Sequence, residues 1–309
     1  MEGKTKAVMR YGDAAMYAAE PLRAEDGPKL YLLSMTLDPL GSIAAACKMY
    51  KGEVVRNLAD ITDDERLEYF AQVMKTKLKA PFEFVKFHFM IEGVSRSLTH
   101  QMVRQRTAVY AQESLRFAVK EHMAEGVYMP PSLAGTHGGE PLGAEDSTEE
   151  WQRNVWDQCL DSIEQAYLHL IDSGMPAEDA RGLLPHNITT RLHYSTDLRA
   201  LLEHGGNRLC SQAQQEWKLV WVRIIEAIRN AQVYVPGSGV FPVYMANELA
   251  GLFRPVCFLT GQCEFRANFD RPCKIRERVD HLAKDNVPTS EWDQHIRPVE
   301  WLADPTIAR

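Results

Sequence analysis

The chain has 309 residues, 45% of them hydrophobic, enough to bury a real core in one large domain or two small ones. Its net charge of −7 argues against a general nucleic-acid binder and leaves room only for a local basic pocket of mononucleotide size. No run of about eighteen apolar residues marks a membrane span, and the start, MEGKTKAVMRYGD, lacks the apolar core of a signal peptide. Six cysteines without such a signal suggest reduced thiols in a cytoplasmic protein.

Residues 1–28 are polar and carry no assignable role. Residues 29–37 are expected as a buried strand broken by Asp38-Pro39, and residues 42–50 as a short helix. A firmer helix is expected over 60–79, opened by a Thr62/Glu65 capping box and striped by Leu67, Phe70, Val73, Met74 and Leu78. Residues 81–92 alternate along a strand apolar on most of both sides, hence a central one, with His88 as a packed strand residue.

Spacing then turns helical. Met90, Ile91, Val94, Leu98, Met102 and Val103 give one apolar face, and Gln101 and Arg104 sit one turn apart on another. Residues 100–117 (HQMVRQRTAVYAQESLRF) hold Gln101, Arg104, Gln105, Arg106, Gln112, Ser114 and Arg116. A helix points Arg104 and Arg106 in different directions, toward two different anionic groups. Beyond Thr107 the pattern is extended, and in a strand Ser114 and Arg116 share a face. Converging arginine forks and hydroxyls suit phosphate. The competing reading is a surface helix laced with salt bridges.

Residues 129–147 are a Pro- and Gly-rich loop. A long helix is expected over 149–173, with Trp151, Trp156 and Tyr167 in the core. A short helix over 177–184 carries Arg181, residues 188–194 form a strand, and helices cover 197–204 and 211–230. The last of these has the stripe Ala213, Trp217, Val220, Trp221, Ile224 and Ile228. Residues 235–239 are expected as a linker. Beyond it, Cys257, Cys263, Cys273, His281 and His295 raise a zinc or iron–sulfur site. No Cys-x-x-Cys pair exists, so ordinary thiols and no metal are expected.

Arg104-Gln105-Arg106, seven residues, then Ser114 resembles the Arg-His-Arg-x7-Ser signature of the flavin-dependent thymidylate synthases, the ThyX family. The longer signature ends Ser-x-Arg-Tyr, against Ser114-Leu115-Arg116-Phe117 here, and Tyr110-Ala111-Gln112 resembles a Tyr-Ser-Gln variant. Three further blocks keep the family's order and spacing. Arg181 leads into Leu184-Pro185-His186-Asn187, then comes Asp197-Leu198-Arg199-Ala200-Leu201, then residues 207–216 (NRLCSQAQQE). The resemblance spans residues 30–235. Gln105 and Gln212 replace family histidines, Asp197 and Glu203 replace asparagines, and Leu78, Ala80 and Phe84 depart from the pattern around Pro81-Phe82-Glu83.

The resemblance implies an α+β fold: a mixed, mainly antiparallel sheet with flanking helices. It also implies a catalytic domain over 29–235, between an N-terminal segment (1–28) and a C-terminal extension (236–309), and a homotetramer with shared active sites. The implied reaction is reductive methylation of dUMP at carbon 5, with FAD as cofactor, methylenetetrahydrofolate as one-carbon donor and NADPH as reductant. Neither a nucleic-acid polymer nor a membrane is an expected partner. Side chains cannot supply a hydride, so a cofactor must. By position, Gln101, Arg104, Gln112, Ser114, Arg116, Arg181 and Arg208 match the dUMP contacts. Arg208 is the catalytic candidate, stabilising negative charge on the pyrimidine. Ser114 has no base beside it in sequence and is expected to bind phosphate rather than attack. Glu83, Arg104, Gln105, Arg106, Asp197 and Glu203 fall on the flavin side, where the substitutions concentrate. Asp197 and Glu203 disfavour a flavin phosphate unless cations pair with them. Alternatives are a relative that hydroxymethylates or takes dCMP, a non-catalytic nucleotide-binding homologue, and a structural helical protein whose arginines merely pair with acids.

Overall fold

The computed structural model describes residues 15–17, 27–120, 122–123, 126–130, 133, 148–210, 212–235, 238–260, 273, 281–282 and 284–287. In chain order the elements are β1 (Ala15–Tyr17), β2 (Lys29–Met35), α1 (Pro39–Tyr50), α2 (Asp63–Lys75), β3 (Lys86–Ser95), α3 (Arg96–Met102) and β4 (Ala108–Gln112). There follow α4 (Thr148–Asp172), α5 (Ala177–Ala180), β5 (Thr189–Asp197), α6 (Leu198–Arg208), α7 (Gln215–Arg229), β6 (Gln232–Val235), β7 (Gly239–Pro242), α8 (Ala246–Ala250) and α9 (Val256–Thr260).

Two antiparallel sheets form, ordered β2-β3-β5-β4 and β1-β6-β7. The expected α+β fold with flanking helices is therefore present. β3 is central, but its alternation is used asymmetrically. Val85, Phe87, Phe89 and Ile91 are buried, while Lys86, His88, Met90 and Glu92 line the more open face. Residues 80–84 are a 3-10 turn rather than strand, which leaves Phe84 exposed. Across the buried face an aromatic ladder runs Phe87–Phe89–Tyr194–Tyr110, with ring centroids 5.9, 6.0 and 5.4 Å apart. Such cross-strand pairs fix register. α7 buries Trp217, Val220, Trp221, Ile224, Ile225 and Ile228 completely, and its apolar face shares this core.

The helix expected from Met90 to Val103 is strand as far as Ser95. Gly93 takes φ +73° at a register shift between Glu92 and Val94, a bulge that turns β3 into α3. The apolar spacing of this run fits either period, and ladder pairing on both sides decides for the strand. Ser114–Phe117 form a turn, not a strand. Asp38-Pro39 starts a helix instead of only ending a strand: Asp38 caps the Gly41 N–H at 2.8 Å with Pro39 in the first turn. The Thr62/Glu65 capping box is present, but α2 faces inward through Arg66, Tyr69 and Val73, leaving Leu67, Met74 and Leu78 exposed. Arg66 decides this. It forks onto Asp38 at 2.7–3.3 Å and donates to the carbonyls of Leu58 and Ile61. On α4, Tyr167 and Leu160 are buried, whereas Trp151 is exposed. Val235 and Gly239, the two ends of the expected linker, pair with each other where β6 meets β7, and residues 236 and 237 lie outside the described residues. Val243, Ala246, Leu249, Ala250 and Phe253 join the main core beyond it.

One polar contact registers the site-bearing elements. Ser95, the last residue of β3, caps α3 by accepting from the Leu98 N–H at 3.0 Å. Its own N–H and hydroxyl donate to the fully buried Glu216 carboxylate on α7 at 2.5 and 2.6 Å. Burial pushes the Glu216 carboxyl upward in pKa, and the Ser95 bonds oppose that. Glu216→Ala strands both Ser95 donors and opens a cavity, so unfolding free energy should fall by roughly 2–4 kcal/mol. Glu216→Gln, which keeps an acceptor, should lose less. Urea denaturation of the three proteins checks this ranking.

Candidate active site

Three polar groupings hold the residues singled out from sequence. The first joins α3, α6 and α7. The Gln101 side-chain oxygen accepts from the Trp217 indole N–H at 3.1 Å and from Arg208 Nη1 at 3.3 Å, while its amide nitrogen donates to Gln214 at 2.9 Å. The Arg208 guanidinium lies 4.7 Å from the Trp217 ring centroid, a cation–π stack. Its Nε is buried without a partner, and burial lowers its pKa. One turn earlier, His204 sits edge-on to Trp217 and Trp221 at 5.2 and 5.6 Å. Its Nδ1 is buried and unpartnered. Burial, then the Arg208 charge, pushes its pKa down to about 4. Gly205 permits this packing, because a Cβ there would stand 3.0 Å from the Trp221 ring.

The second grouping lies where α3, the end of β4 and the turn after α5 meet. A cavity of about 400 Å³ is lined by Arg96, Thr99, His100, Gln112, Arg181 and His186, among others. Gln112 donates to Thr99 at 2.9 Å. Arg116 pairs with Glu178 at 2.8 Å, and Arg181 Nε donates to the Glu178 carbonyl at 3.0 Å. The Ser114 hydroxyl accepts from the Arg116 N–H at 3.3 Å.

The third grouping contains the acids. Arg199 bridges Glu83 at 2.7 Å and Glu203 at 3.2 Å. Asp197 caps α6 through the Ala200 N–H at 3.0 Å and pairs with Lys86 at 3.3 Å. Gln105 is engaged at both ends of its amide, donating to the Ala200 carbonyl and accepting from the Tyr194 hydroxyl, each at 2.8 Å. Arg104 and Arg106 are exposed, and among the described residues their guanidiniums have no hydrogen-bond or ion-pair partner.

Among the described residues, no side-chain hydrogen bond or ion pair joins one grouping to another; the Arg104 N–H donates to the Gln101 carbonyl at 3.3 Å along the backbone. Some residues of the site were not read as site residues from sequence. Arg199 stands inside a motif block and was legible there. Trp217 was legible only as part of a core stripe. Arg96, Thr99, Glu178 and His204 gave no signal, since their roles depend on which neighbours the fold brings. The chemistry of the donor set fits a flavin phosphate: the acids carry their own cations, and two guanidiniums stay free. It also fits an anionic ring, because Gln101 and Trp217 hold Arg208 with its Nε drawn out of water.

Comparison with known proteins bears on the family and the fold. The family model described as thymidylate synthase complementing protein matches residues 31–232. The chain is 29% identical over 204 residues to the flavin-dependent thymidylate synthase of Geobacter sulfurreducens, covering 65% of this chain and 82% of that one. It is 30% identical over 200 residues to that of Clostridium tetani, covering 62% and 78%. With the Pyrococcus furiosus protein of the same description the match is 29% over 262 residues, covering 83% and 98%. Among solved structures, a UMP/dUMP methylase, PolB from Streptomyces cacaoi, bound with 5-Br dUMP, shares the fold at a TM-score of 0.52 and 22% identity, covering 65% of this chain and 90% of that one.

The His204 environment makes a pH prediction. A depressed folded-state pKa means that the unfolded chain takes up the proton first as pH falls, so stability is lost on acidification. Between 6.5 and about 4 the native protein should lose about 3 kcal/mol relative to His204→Phe, which keeps a ring between the tryptophans. Denaturant midpoints at stepped pH give both slopes; equal slopes would place His204 in solvent.

Proposed function

The chain belongs to the flavin-dependent thymidylate synthase family, and on that premise we propose that it reductively methylates dUMP at carbon 5. The observation that carries this reading is the Gln101–Arg208–Trp217 constellation. It joins two distant stretches of chain, with Gln101 and Arg208 at positions that match the family's nucleotide contacts, around a half-buried guanidinium.

In this reading Arg208 faces the pyrimidine. Making carbon 5 nucleophilic places negative charge on the ring oxygens, and a fixed, desolvated cation stabilises that charge without reorganising at the moment of reaction. Trp217 and Gln101 hold the guanidinium in plane. Gln112 orients the nucleotide, and Ser114, Arg116, Arg104 and Arg181 take its phosphate. The Arg116–Glu178 pair is exposed, so exchanging Glu178 for a phosphate costs little. Glu83, Arg106, Asp197 and Glu203 line the flavin side with Arg104, and Gln105 braces the turn that carries both free arginines. FAD, when bound, supplies the hydride that no side chain can, with NADPH as the reductant and methylenetetrahydrofolate as the carbon source. The protein acts as a homotetramer in the cytoplasm, its sites completed between subunits, with 29–235 as the catalytic region and 236–309 as an extension. dUMP is favoured over dCMP because the carboxylates available to accept from a cytosine amino group, Asp197 and Glu203, are already paired with cations.

Two measurements test the reading. Tritium release from carbon-5-labelled dUMP, in the presence of FAD, NADPH and methylenetetrahydrofolate, should be seen with the native protein. It should fall by at least about a hundredfold in Arg208→Ala. No release from the native protein removes the enzymatic reading, and retained release in the variant removes the role of Arg208. Glu203→Asn frees one side of Arg199 and should tighten FAD binding by about two- to fivefold in a visible-absorbance titration. Unchanged affinity would exclude Glu203 from the flavin side.

A further inference from the structure

We propose that His88 and His193, on the open face of the four-stranded sheet, form a two-imidazole site for a divalent transition-metal ion of the Ni²⁺ or Cu²⁺ type. The pair lies outside the three groupings described above and does not depend on the nucleotide reading.

β3 and β5 are the two interior strands of the sheet ordered β2-β3-β5-β4, so ladder bonds hold each on both sides. His88 stands opposite Ser195 and His193 opposite Met90, which makes the two histidines diagonal neighbours on one face. Their rings meet there. His88 Nε2 and His193 Nδ1 are 2.9 Å apart, with ring centroids at 5.1 Å and planes inclined at 46°. One of these nitrogens carries the proton and the other accepts it. Moving that proton to the far nitrogen of its ring turns two lone pairs toward the same gap. Metal–nitrogen bonds of about 2.0–2.1 Å at a right angle hold their nitrogens about 2.9 Å apart, whereas a tetrahedral angle needs about 3.3–3.4 Å. A right angle is the cis angle of square-planar and octahedral ions, which ranks Ni²⁺ and Cu²⁺ ahead of zinc. Seated on interior strands, the two rings need little further ordering when an ion enters.

The surroundings suit a cation bound through nitrogen. Along the same face the fixed cations are already tied, Lys86 to Asp197 at 3.3 Å and Arg191 to Glu113 at 3.7 Å. The Ser195 hydroxyl is spent on the Phe87 carbonyl at 3.2 Å. On the β4 side Val109 and Ala111, opposite Ser195 and His193, bring no charge. Among the described residues no third histidine, cysteine, aspartate or glutamate completes a metal-holding group. The chain therefore supplies two ligands and leaves the remaining positions to water or to a donor from a bound molecule. His193 is exposed, so an ion reaches the pair from solvent. Imidazole nitrogens without a carboxylate select transition ions over Mg²⁺ and Ca²⁺, which take oxygen ligands.

Calorimetry with the full-length protein tests this, with Ni²⁺ as the titrant because thiols reduce Cu²⁺ but not Ni²⁺. The native protein should bind Ni²⁺, and excess Mg²⁺ should not compete. His88→Gln and His193→Gln should each weaken the tightest Ni²⁺ site by about a hundredfold, because the second imidazole binds intramolecularly. Ni²⁺ should also raise the urea midpoint of the native protein and leave that of His193→Gln unmoved. The His193 side chain is exposed, so this variant decides the matter even where His88→Gln disturbs the strand. Native-like Ni²⁺ affinity in His193→Gln overturns the site, as does a native protein that takes up no Ni²⁺. Competition by Mg²⁺ would mark carboxylate ligands and overturns it too.

Discussion

The geometry of the site depends on one buried carboxylate. Glu216 has no exposed surface, and an isolated charge so placed would be strongly unfavourable. Its two oxygens are met by the N–H and hydroxyl of Ser95, the residue at which β3 becomes α3. That contact fixes α3 against the start of α7. Gln101 lies near the end of α3, and Trp217 directly follows Glu216, so the Gln101–Trp217 bond and the seat of Arg208 follow from the same clamp. The bulge at Gly93 delivers Ser95 to this place.

A second constraint is electrostatic. Replacing asparagine by Asp197 and Glu203 adds two negative charges where the family resemblance puts a phosphorylated cofactor. The chain answers each locally. Asp197 caps α6 and meets Lys86, and Glu203 shares Arg199 with Glu83. These pairs are mostly exposed, so they neutralise the field without adding much stability. Arg104 and Arg106 remain the uncommitted cations on that side. The substitutions therefore leave these acids paired and the two arginines exposed beside them.

Much of this was legible from residue order alone, and the losses have physical causes. The capping box at Thr62, the α7 stripe and the central position of β3 follow from local chemistry and periodicity, and the structure has them. The helix expected through Met90 failed because apolar residues at 90, 91 and 94 satisfy both periods, and pairing partners far away in sequence decide between them. The α2 stripe failed because a tertiary ion pair, Arg66 with Asp38, turned the helix. At the site, motif spacing found the arginines and glutamines that recur with the family. It could not find Arg96, Trp217 or His204, whose significance lies in burial and in what stands opposite.

The arginines themselves separate structural from functional use. Arg66 is buried and saturated, bonded to two carboxylates and two carbonyls, and it behaves as a strut. Arg96 and Arg208 are also drawn inward, yet each leaves its Nε buried and unmet. A folded chain seldom leaves such donors idle, because each forfeits a hydration shell for nothing in return. In both cases the neighbours keep the guanidinium in place and leave its Nε unpaired, although the Glu113 charge partly offsets the burial of Arg96. Trp217 offers a ring face to Arg208, and Glu113 offers a carbonyl to Arg96. His204, one turn from Arg208 and held neutral by its apolar cage, adds no rival charge. Both guanidiniums are thus held in place with donor capacity unspent, the condition that any site for an anionic ligand requires.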